Sequence, residues 1–331
     1  MPADVPHLAD IGRAAERIRG IATRTPIVDS PDLAEVAVSL KLETIQPTGS
    51  FKIRGAASRI RSLPESDRAR GVVTASTGNH GRAVAHVARS LGIEATVCVS
   101  EGVPAGKVAA LEALGCELVV DGASQSEALV NAHRLVSDRG MTLIHPFDDP
   151  DVIAGQGTIG IELLDQVPDV TTVLVPLSGG GLAAGVATAI KETDPTIRVI
   201  GISMQRSAVM AASLAAGEPV DMPERPTLAD SLQGGIGLDN RYTFGIVQQH
   251  IDEVVLLDER EIWQAMLFAL QHHRLVLEGG AAVGIGALLA GKVVPTGPTA
   301  VICTGSNVEP RHLAELADEL SAAARRDNGP D

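Results

Sequence analysis

Between Gly71 and Ile144, short apolar segments rich in β-branched residues alternate with segments of helical periodicity. The predicted strands are Val72–Ala75, Ala95–Val99, Leu118–Val120 and Thr142–Ile144, and the predicted helices are Arg82–Leu91, Pro104–Leu114 and Ser124–Arg139. A glycine follows each of these helices, as expected where a residue in the left-handed conformation ends a helix. Strands and helices that alternate in this way predict a parallel, doubly wound sheet.

A second series of alternating elements follows. Its predicted strands are Thr172–Pro176, Arg198–Ile202, Val254–Leu257 and Thr299–Cys303, and its predicted helices are Leu182–Lys191, Arg206–Ala216, Glu259–Leu275 and Gly280–Leu289. Ahead of both series, Val38, Leu40 and Leu42 alternate with polar residues, which predicts a half-buried strand. We interpret residues 148–157 and 232–242 as loops. The pattern is therefore that of two α/β units, the first ending near Pro146.

The composition excludes several classes of protein. Of 331 residues, 45% are hydrophobic and 21% charged, an ordinary globular balance. The net charge of -14 would repel nucleic acids and anionic membrane surfaces, and no apolar run reaches the ~18 residues of a membrane span. Cys98, Cys116 and Cys303 stand far apart, which predicts reduced thiols in a cytoplasmic protein, without disulfides or a zinc site. We expect the partner to be a small molecule.

Lys52 is the first candidate for a chemical role. The turn-forming Pro47–Gly49 and a possible helix N-cap at Ser50 place it in the first turn of a helix. There the helix dipole disfavours a cation, and partial burial would lower the pKa of the amine further. A neutral amine is what Schiff-base chemistry requires. The alternative is a solvated surface lysine.

Two glycine-containing loops follow predicted strands. Ser76–Gly81 leads from a strand into a helix and suits a carboxylate, although a capped turn is the common alternative and His80 is more typical of packing than of catalysis. In Ser178–Leu182, three consecutive glycines could wrap a phosphate. Gly179, Gly181 and Ala184 also fit a dinucleotide pattern, but the next strand ends without the carboxylate that would hold a ribose. We therefore prefer a single phosphate to a nicotinamide dinucleotide.

A third polar segment, Cys303–Asn307, lies at the end of another predicted strand. Its small hydroxyl residues could exchange a hydrogen bond with a ring nitrogen of a ligand. Taken alone, the segment is an ordinary turn.

Together, Ser-Phe-Lys-x-Arg-Gly, Ser-x-Gly-Asn-His-Gly and Gly-Gly-Gly-Leu, in this order and spacing, resemble the fold-type II pyridoxal-phosphate enzymes, in the branch of threonine dehydratase and serine racemase. The resemblance implies a tryptophan synthase β-like architecture of two doubly wound three-layer α/β domains. Residues 1–62 with 149–331 would form a large cofactor-binding domain. Residues 63–148 would form a small domain that closes over the substrate, and the family also implies a homodimer.

The same resemblance implies roles for individual residues. Lys52 would carry pyridoxal 5'-phosphate covalently and later remove the Cα proton, and Thr77 would be a second catalytic residue on the opposite face. The cofactor would be held by Phe51, Lys52, Asn79, Ser178, Gly179, Gly180, Gly181, Leu182, Glu278 and Thr304. Within this set, Asn79 would bond its phenolic oxygen, the Ser178–Leu182 loop its phosphate, and Thr304 its pyridine nitrogen. The substrate carboxylate would be held by Ser76, Thr77, Asn79 and His80.

The reaction implied is β-elimination from a β-hydroxy α-amino acid, which gives an enamine or imine and then a 2-oxo acid and ammonia. A hydroxyl at the pyridine nitrogen, instead of a carboxylate, favours prompt loss of the leaving group. Threonine or serine dehydratase, hydroxyaspartate ammonia-lyase, amino acid racemase and β-replacement enzyme remain alternatives. An NAD-dependent oxidoreductase is the alternative from another enzyme class, and a non-catalytic binding protein is the alternative without turnover.

Departures from the family pattern refine these expectations. Thr77 stands where threonine dehydratases usually carry Ala and serine racemase carries Ser, which makes a racemase less favoured. Ser203 and Val209 stand where metal-dependent members carry carboxylates, so we expect no divalent cation site. Ser231 replaces the usual glycine of Ala-Asp-Gly. Together with the Gln233–Asn240 segment, these departures make the chain resemble the hydroxyectoine-utilisation dehydratases.

Overall fold

The computed structural model describes residues 4–327. Its helices are α1 (Leu8–Arg17), α2 (Lys52–Ser62), α3 (Glu65–Arg68), α4 (Asn79–Ser90), α5 (Ala105–Glu112), α6 (Gln125–Arg139), α7 (Pro150–Gln166), α8 (Gly181–Thr193), α9 (Val209–Ala216), α10 (Thr243–His250), α11 (Glu259–His273), α12 (Gly279–Leu289) and α13 (Pro310–Asp327). Its strands are β1 (Ile27–Asp29), β2 (Val38–Leu42), β3 (Val72–Ala75), β4 (Ala95–Val99), β5 (Glu117–Val120), β6 (Thr142–Leu143), β7 (Thr172–Pro176), β8 (Arg198–Met204), β9 (Glu253–Leu257) and β10 (Thr299–Cys303).

The strands form two sheets, in agreement with the predicted α/β class. The larger sheet has the order β1-β2-β10-β7-β8-β9, and the smaller has the order β5-β4-β3-β6. Every pairing is parallel except that of the edge strand β1 with β2. Parallel strands joined by helices bring their carboxyl ends to one edge of a sheet, which is where ligands bind in such folds. The domain boundaries at residues 62/63 and 148/149 remain a prediction.

The predicted strand and helix pattern of both units is confirmed within a few residues at each end. Glycines 92, 115 and 140 have φ angles of 68°, 78° and 65°, the left-handed conformation expected after a helix. The larger sheet is covered on its two faces by separate apolar clusters, one around α11 and α12 and the other around α8 and α10. Helices on both faces make a three-layer arrangement, as predicted.

The prediction that β2 is half-buried was wrong. All five residues of β2 are buried, and Lys41 has no exposed surface. Its ammonium group donates hydrogen bonds to the Glu162 carboxylate at 2.7 Å, to the Gln166 amide oxygen at 2.8 Å and to the Thr25 carbonyl at 2.8 Å. A buried cation is tolerated when it is paired and hydrogen-bonded in this way, so alternating polarity does not indicate solvent exposure here.

Residues 150–157 are helical, which corrects the prediction of a loop at 148–157. Asp149 caps α7 by accepting hydrogen bonds from the backbone N–H groups of Asp151 and Val152, and Pro150 occupies the first helical turn. The glycines of this segment allow close helix packing. A β-carbon on Gly155 would lie 2.6 Å from the carbonyl oxygen of Arg54 in α2.

Candidate functional site

Lys52 is the first residue of α2, as the sequence predicts, but Ser50 does not cap this helix. Phe51 occupies the N-cap position without a side-chain cap. Ser50 instead forms an isolated antiparallel bridge with Gly305, and its buried hydroxyl has no hydrogen-bond partner within residues 4–327. The start of α2 is therefore anchored by backbone pairing to the segment after β10.

The Lys52 amine lies in a sheltered position beside a backbone carbonyl. Its Nζ donates a hydrogen bond to the carbonyl oxygen of Pro146 at 2.8 Å and lies 5.3 Å from the centre of the Phe51 ring. Burial lowers the pKa of Lys52 to about 8, although the negative charge of Glu278 acts in the opposite direction. A sizeable neutral fraction near pH 8 fits an amine that acts as a nucleophile or base.

The Ser178–Leu182 loop joins β7 to α8 and has the geometry of an anion site. Gly180 has a φ angle of 90° and precedes the first residue of α8. The first N–H groups of a helix have no acceptor within the helix, and the helix dipole places positive potential there. Because Gly180 offers no capping side chain, these N–H groups are left for a ligand, and a phosphate is the group they suit best.

Asn79, at the start of α4, connects two polar side chains from other parts of the chain. Its Nδ2 donates to Oε1 of Glu278 at 2.8 Å, and its Oδ1 accepts from Nδ2 of Asn307 at 2.6 Å. These bonds determine which way the amide faces and leave one Nδ2 hydrogen for a ligand. Asn307 belongs to the segment that the sequence singled out, but its link to Asn79 could not be predicted, because the two residues are far apart in the chain.

Glu278 is the N-cap residue of α12 and is 6% exposed. Burial raises the pKa of its carboxyl to about 7, and Asp230 raises it further, while hydrogen bonds from Ser231 and Asn79 partly oppose the shift. The carboxyl lies against Gly305, where a β-carbon would be 2.8 Å from Oε1. The glycine after Thr304 therefore makes room for this acid.

Thr304 directly follows β10, as predicted, and is 3% exposed. Its carbonyl oxygen accepts a hydrogen bond from the Phe51 backbone N–H at 3.0 Å. This bond holds Thr304 next to the residue that precedes Lys52. The end of β10, the start of α2 and the start of α12 therefore meet in one place.

The Ser76–Gly81 loop follows β3 and leads into α4, as predicted. A β-carbon on Gly81 would lie 2.1 Å from the carbonyl oxygen of Ser76, so only glycine allows this tight turn. His80 is buried, and burial, with the nearby charge of Lys52, lowers its pKa to about 3. Its Nε2 bonds the Ile144 carbonyl oxygen at 2.9 Å, which requires the proton on Nε2 and leaves Nδ1 an acceptor. The His80 side chain cannot then donate to a carboxylate, whereas its backbone N–H can.

The structure brings Phe51, Glu278 and His80 near Lys52 and adds contacts that sequence reasoning missed. Pro146 contributes only a carbonyl oxygen, and Phe147 packs on the Ser178–Leu182 loop, which we call the glycine loop. Neither contact could be predicted from the sequence. The contacts of Thr77 do not single it out, and its catalytic role remains a prediction. Within residues 4–327, no group of three or more His, Cys, Asp or Glu side chains is arranged to hold a metal ion.

These residues fit pyridoxal phosphate. The glycine loop leads into α8 without a side-chain cap, as suits a phosphate, Lys52 offers an amine of lowered pKa, and Asn79 keeps one amide hydrogen free. When bound, this cofactor supplies an electron-accepting ring that stabilises negative charge at the Cα of an amino acid. The Ser178–Leu182 loop would hold its phosphate, Asn79 would orient its ring, and Nζ of Lys52 would supply a base.

Comparison with known proteins agrees with this geometry. Residues 18–305 match the family described as "Pyridoxal-phosphate dependent enzyme". A Sinorhizobium fredii protein named provisionally as a threonine dehydratase is 48% identical over 324 residues, which cover 97% of this chain and 98% of that protein. The L-threonine ammonia-lyase of Thermotoga maritima is 40% identical over 305 residues, covering 91% of this chain and 76% of that protein. The structure of maize serine racemase superimposes with a TM-score of 0.89 at 32% identity, covering 97% of this chain and all of that one.

The fold and site therefore define a fold-type II enzyme that uses pyridoxal phosphate. The chain belongs to this family, in the branch that contains threonine dehydratases and serine racemases, and it is a lyase. The expectations for family, cofactor and enzyme class are thereby confirmed, and the dinucleotide and non-catalytic alternatives are set aside.

Proposed function

We propose that the enzyme eliminates water from a β-hydroxy α-amino acid. Removal of the Cα proton and departure of the β-hydroxyl give an enamine, which becomes an imine and is hydrolysed to a 2-oxo acid and ammonia. One water is lost and one is regained, so the net products are the 2-oxo acid and ammonia. The observation that carries the proposal is the Lys52 amine, which has a pKa lowered to about 8 and bonds the carbonyl of Pro146, the residue before the one that packs on the predicted phosphate loop. The 40% identical L-threonine ammonia-lyase supports it.

In this reaction, Nζ of Lys52 takes the Cα proton, and the carbonyl of Pro146 directs the amine by holding one of its hydrogens. The substrate carboxylate binds at the start of α4, through Ser76, Thr77, Asn79 and the backbone N–H of His80. The helix N-terminus favours an anion there. Thr77 faces the substrate from the side opposite Lys52 and decides whether a proton can be returned on that side.

The substrate that we propose is a hydroxylated amino acid derived from hydroxyectoine. The support is the resemblance noted for Ser231 and the Gln233–Asn240 segment. Hydrogen bonding from Ser231 lowers the pKa of Glu278, so this hydroxyl borders the site. Threonine, serine and hydroxyaspartate are the competing substrates. We further propose that the enzyme is a cytoplasmic homodimer whose residues 63–148 close over the substrate. No helix within residues 4–327 is long and apolar enough to cross a membrane.

An assay without added nucleophile tests the proposal. The holoenzyme is given each β-hydroxy amino acid in turn, and ammonia and 2-oxo acid are measured. The two products should form in equal molar amounts. Lys52→Ala should abolish turnover, whereas Lys292→Ala, at a surface lysine paired with Glu261, should keep it. Product that forms only with an added nucleophile would indicate β-replacement, and accumulation of the D-enantiomer would indicate a racemase. Full turnover by Lys52→Ala would refute the mechanism.

A further inference from the structure

Five residues that carry the chain from the smaller sheet to α7, His145–Asp149, touch several parts of the site. We call this segment the connector. His145 Nδ1 accepts the backbone N–H groups of Phe147 at 3.3 Å and Asp148 at 2.8 Å, and its ring meets the Phe147 ring edge to face at 4.7 Å. Asp149 caps α7. The connector is therefore held rigidly by its own side chains.

Phe147 packs directly on the glycine loop. A β-carbon on Gly179 would lie 2.5 Å from Cδ1 of the Phe147 ring, and a β-carbon on Gly181 would lie 2.8 Å from the Phe147 Cα. The ring and backbone of one residue thus contact both outer glycines of the loop. Two of the three glycines are required by this contact, in addition to any contact with a phosphate.

The middle glycine, Gly180, is contacted by a residue that is hydrogen-bonded to the connector. The Asp148 carboxylate accepts hydrogen bonds from the backbone N–H groups of Arg241, Tyr242 and Thr243, at 2.8–2.9 Å. Thr243 in turn lies against Gly180, where a β-carbon would be 2.9 Å from the Thr243 Cβ. All three glycines are therefore placed by the connector or by a residue bonded to it.

On its other side the connector holds Lys52, through the Pro146 carbonyl. Adjacent residues thus fix the amine and the loop relative to each other. We infer that Phe147 is a positioning residue that keeps the glycine loop in the conformation that binds the cofactor phosphate. The inference concerns cofactor binding and does not depend on which amino acid is the substrate.

Two probes separate this role from a general loss of stability. Apoenzyme is titrated with pyridoxal phosphate and, separately, with pyridoxal, which lacks the phosphate, and dissociation constants are read from the absorption spectrum. Phe147→Ala should weaken pyridoxal phosphate binding about tenfold or more, a loss of ~1.4 kcal/mol, and weaken pyridoxal binding much less. Phe268→Ala is the matched control, because Phe268 is also partly buried but packs against the other core cluster. Both of its dissociation constants should match wild type.

A double-mutant cycle tests the contact itself. Gly179→Ala alone should weaken pyridoxal phosphate binding, since its methyl group meets the Phe147 ring. In the Phe147→Ala background the ring is gone, so Gly179→Ala should weaken binding by a smaller factor. Contacting residues depart from additivity in this way, whereas independent ones do not.

The inference is overturned if Phe147→Ala weakens both ligands equally, if it weakens neither, or if the losses in the cycle are additive. Urea unfolding of each apoenzyme shows whether the variants fold. Should Phe147→Ala not fold, Phe147→Leu, which keeps more of the volume, is measured in its place with the same two ligands and Phe268→Leu as control. Because pyridoxal phosphate binding is read without substrate, failure here is distinguishable from failure of the proposed reaction.

Discussion

The Arg54 guanidinium donates a hydrogen bond to each carboxylate oxygen of Glu43, at 2.8 Å, and neither side chain has any surface exposed to solvent. The same guanidinium donates to Glu162 at 2.7 and 2.8 Å. Arg54 lies two residues after Lys52 in α2, and Glu162 lies in α7. The helix that carries the amine is thus tied to Glu43 by a fully buried ion pair and to α7 by Glu162, whose side chain is 14% exposed.

Arg54→Met should destabilise the protein severely. It would leave the buried Glu43 carboxylate without its partner, and breaking a buried ion pair from one side costs about 3–5 kcal/mol. The free energy of unfolding is measured by urea titration. Arg13→Met is the control, because the Arg13–Asp10 pair is exposed, and such pairs contribute ~0–1 kcal/mol. Equal effects of the two substitutions would contradict the assigned role of Arg54.

The pH dependence of cofactor binding should follow the Lys52 amine. Because burial lowers its pKa to about 8, the rate at which apoenzyme binds pyridoxal phosphate covalently should rise with pH and level off above about 8. An unperturbed lysine would level off only near its usual pKa of about 10.4. Glu278→Gln removes a negative charge that favours the ammonium form, so its midpoint should move to lower pH. A midpoint that stays unchanged or rises would show that Glu278 does not act on Lys52.

Glu278 should also affect stability in a defined pH window. Its pKa is raised by burial to about 7, so the folded protein holds a proton that the unfolded chain releases near pH 4.5. The stability of the wild type should therefore fall, relative to Glu278→Gln, as the pH rises from about 4.5 to about 7. Urea midpoints of the two apoenzymes across this range provide the measurement. Parallel curves would mean that the carboxyl titrates normally.

Gly185 and Gly12 should respond in opposite ways to alanine. Both lie inside helices, where alanine is favoured over glycine by about 0.5–1 kcal/mol. A β-carbon on Gly12 meets nothing within 4 Å, so Gly12→Ala should raise the free energy of unfolding by that amount. A β-carbon on Gly185 would lie 2.2 Å from the Ile153 carbonyl oxygen, so Gly185→Ala should force α7 and α8 apart. A stabilising Gly185→Ala would show that these helices can shift at little cost.

Turnover should not require a divalent cation. Ser203 and Val209 stand where metal-dependent relatives are expected to carry carboxylates. The Ser203 hydroxyl donates to the Met204 sulfur at 3.5 Å, and Val209 is packed in the core. Enzyme treated with a chelator should keep its activity in the ammonia assay. Activity that collapses and returns with magnesium would overturn this expectation.

Local patterns predicted much of the fold. Apolar periodicity and glycine caps located the strands of both sheets apart from the edge strand β1, because these signals arise within one strand or one helix. Long-range pairing could not be predicted in the same way. Lys41 looked solvent-facing, since nothing nearby in the sequence announces Glu162 as its partner. The start of α7 was predicted as a loop, and the close approach of its glycines to other helices depends on residues elsewhere in the chain.

In the candidate site, too, local motifs could be predicted from the sequence and long-range contacts could not. Lys52, the glycine loop and the polar segment after β10 were visible as motifs, since each is a short run of unusual residues. The Pro146 carbonyl was not visible, because any residue carries one and only the fold brings it to Nζ. The amide orientation of Asn79 was equally hidden, since it depends on Asn307 across the site.

The smaller sheet is built entirely from chain that leaves after α2 and returns at α7, two helices that pack side by side. The two ends of this stretch of chain are thus held close together by the packing of α2 against α7. A chimaera that takes residues 63–144 from a relative and keeps the connector should leave the larger sheet, the amine and the glycine loop in their places. Lys52, the glycine loop and Glu278 would stay, whereas the Ser76–Gly81 loop, with Asn79, would be exchanged. Such a chimaera would change the loop proposed to bind the substrate carboxylate while the phosphate loop and the amine stay the same.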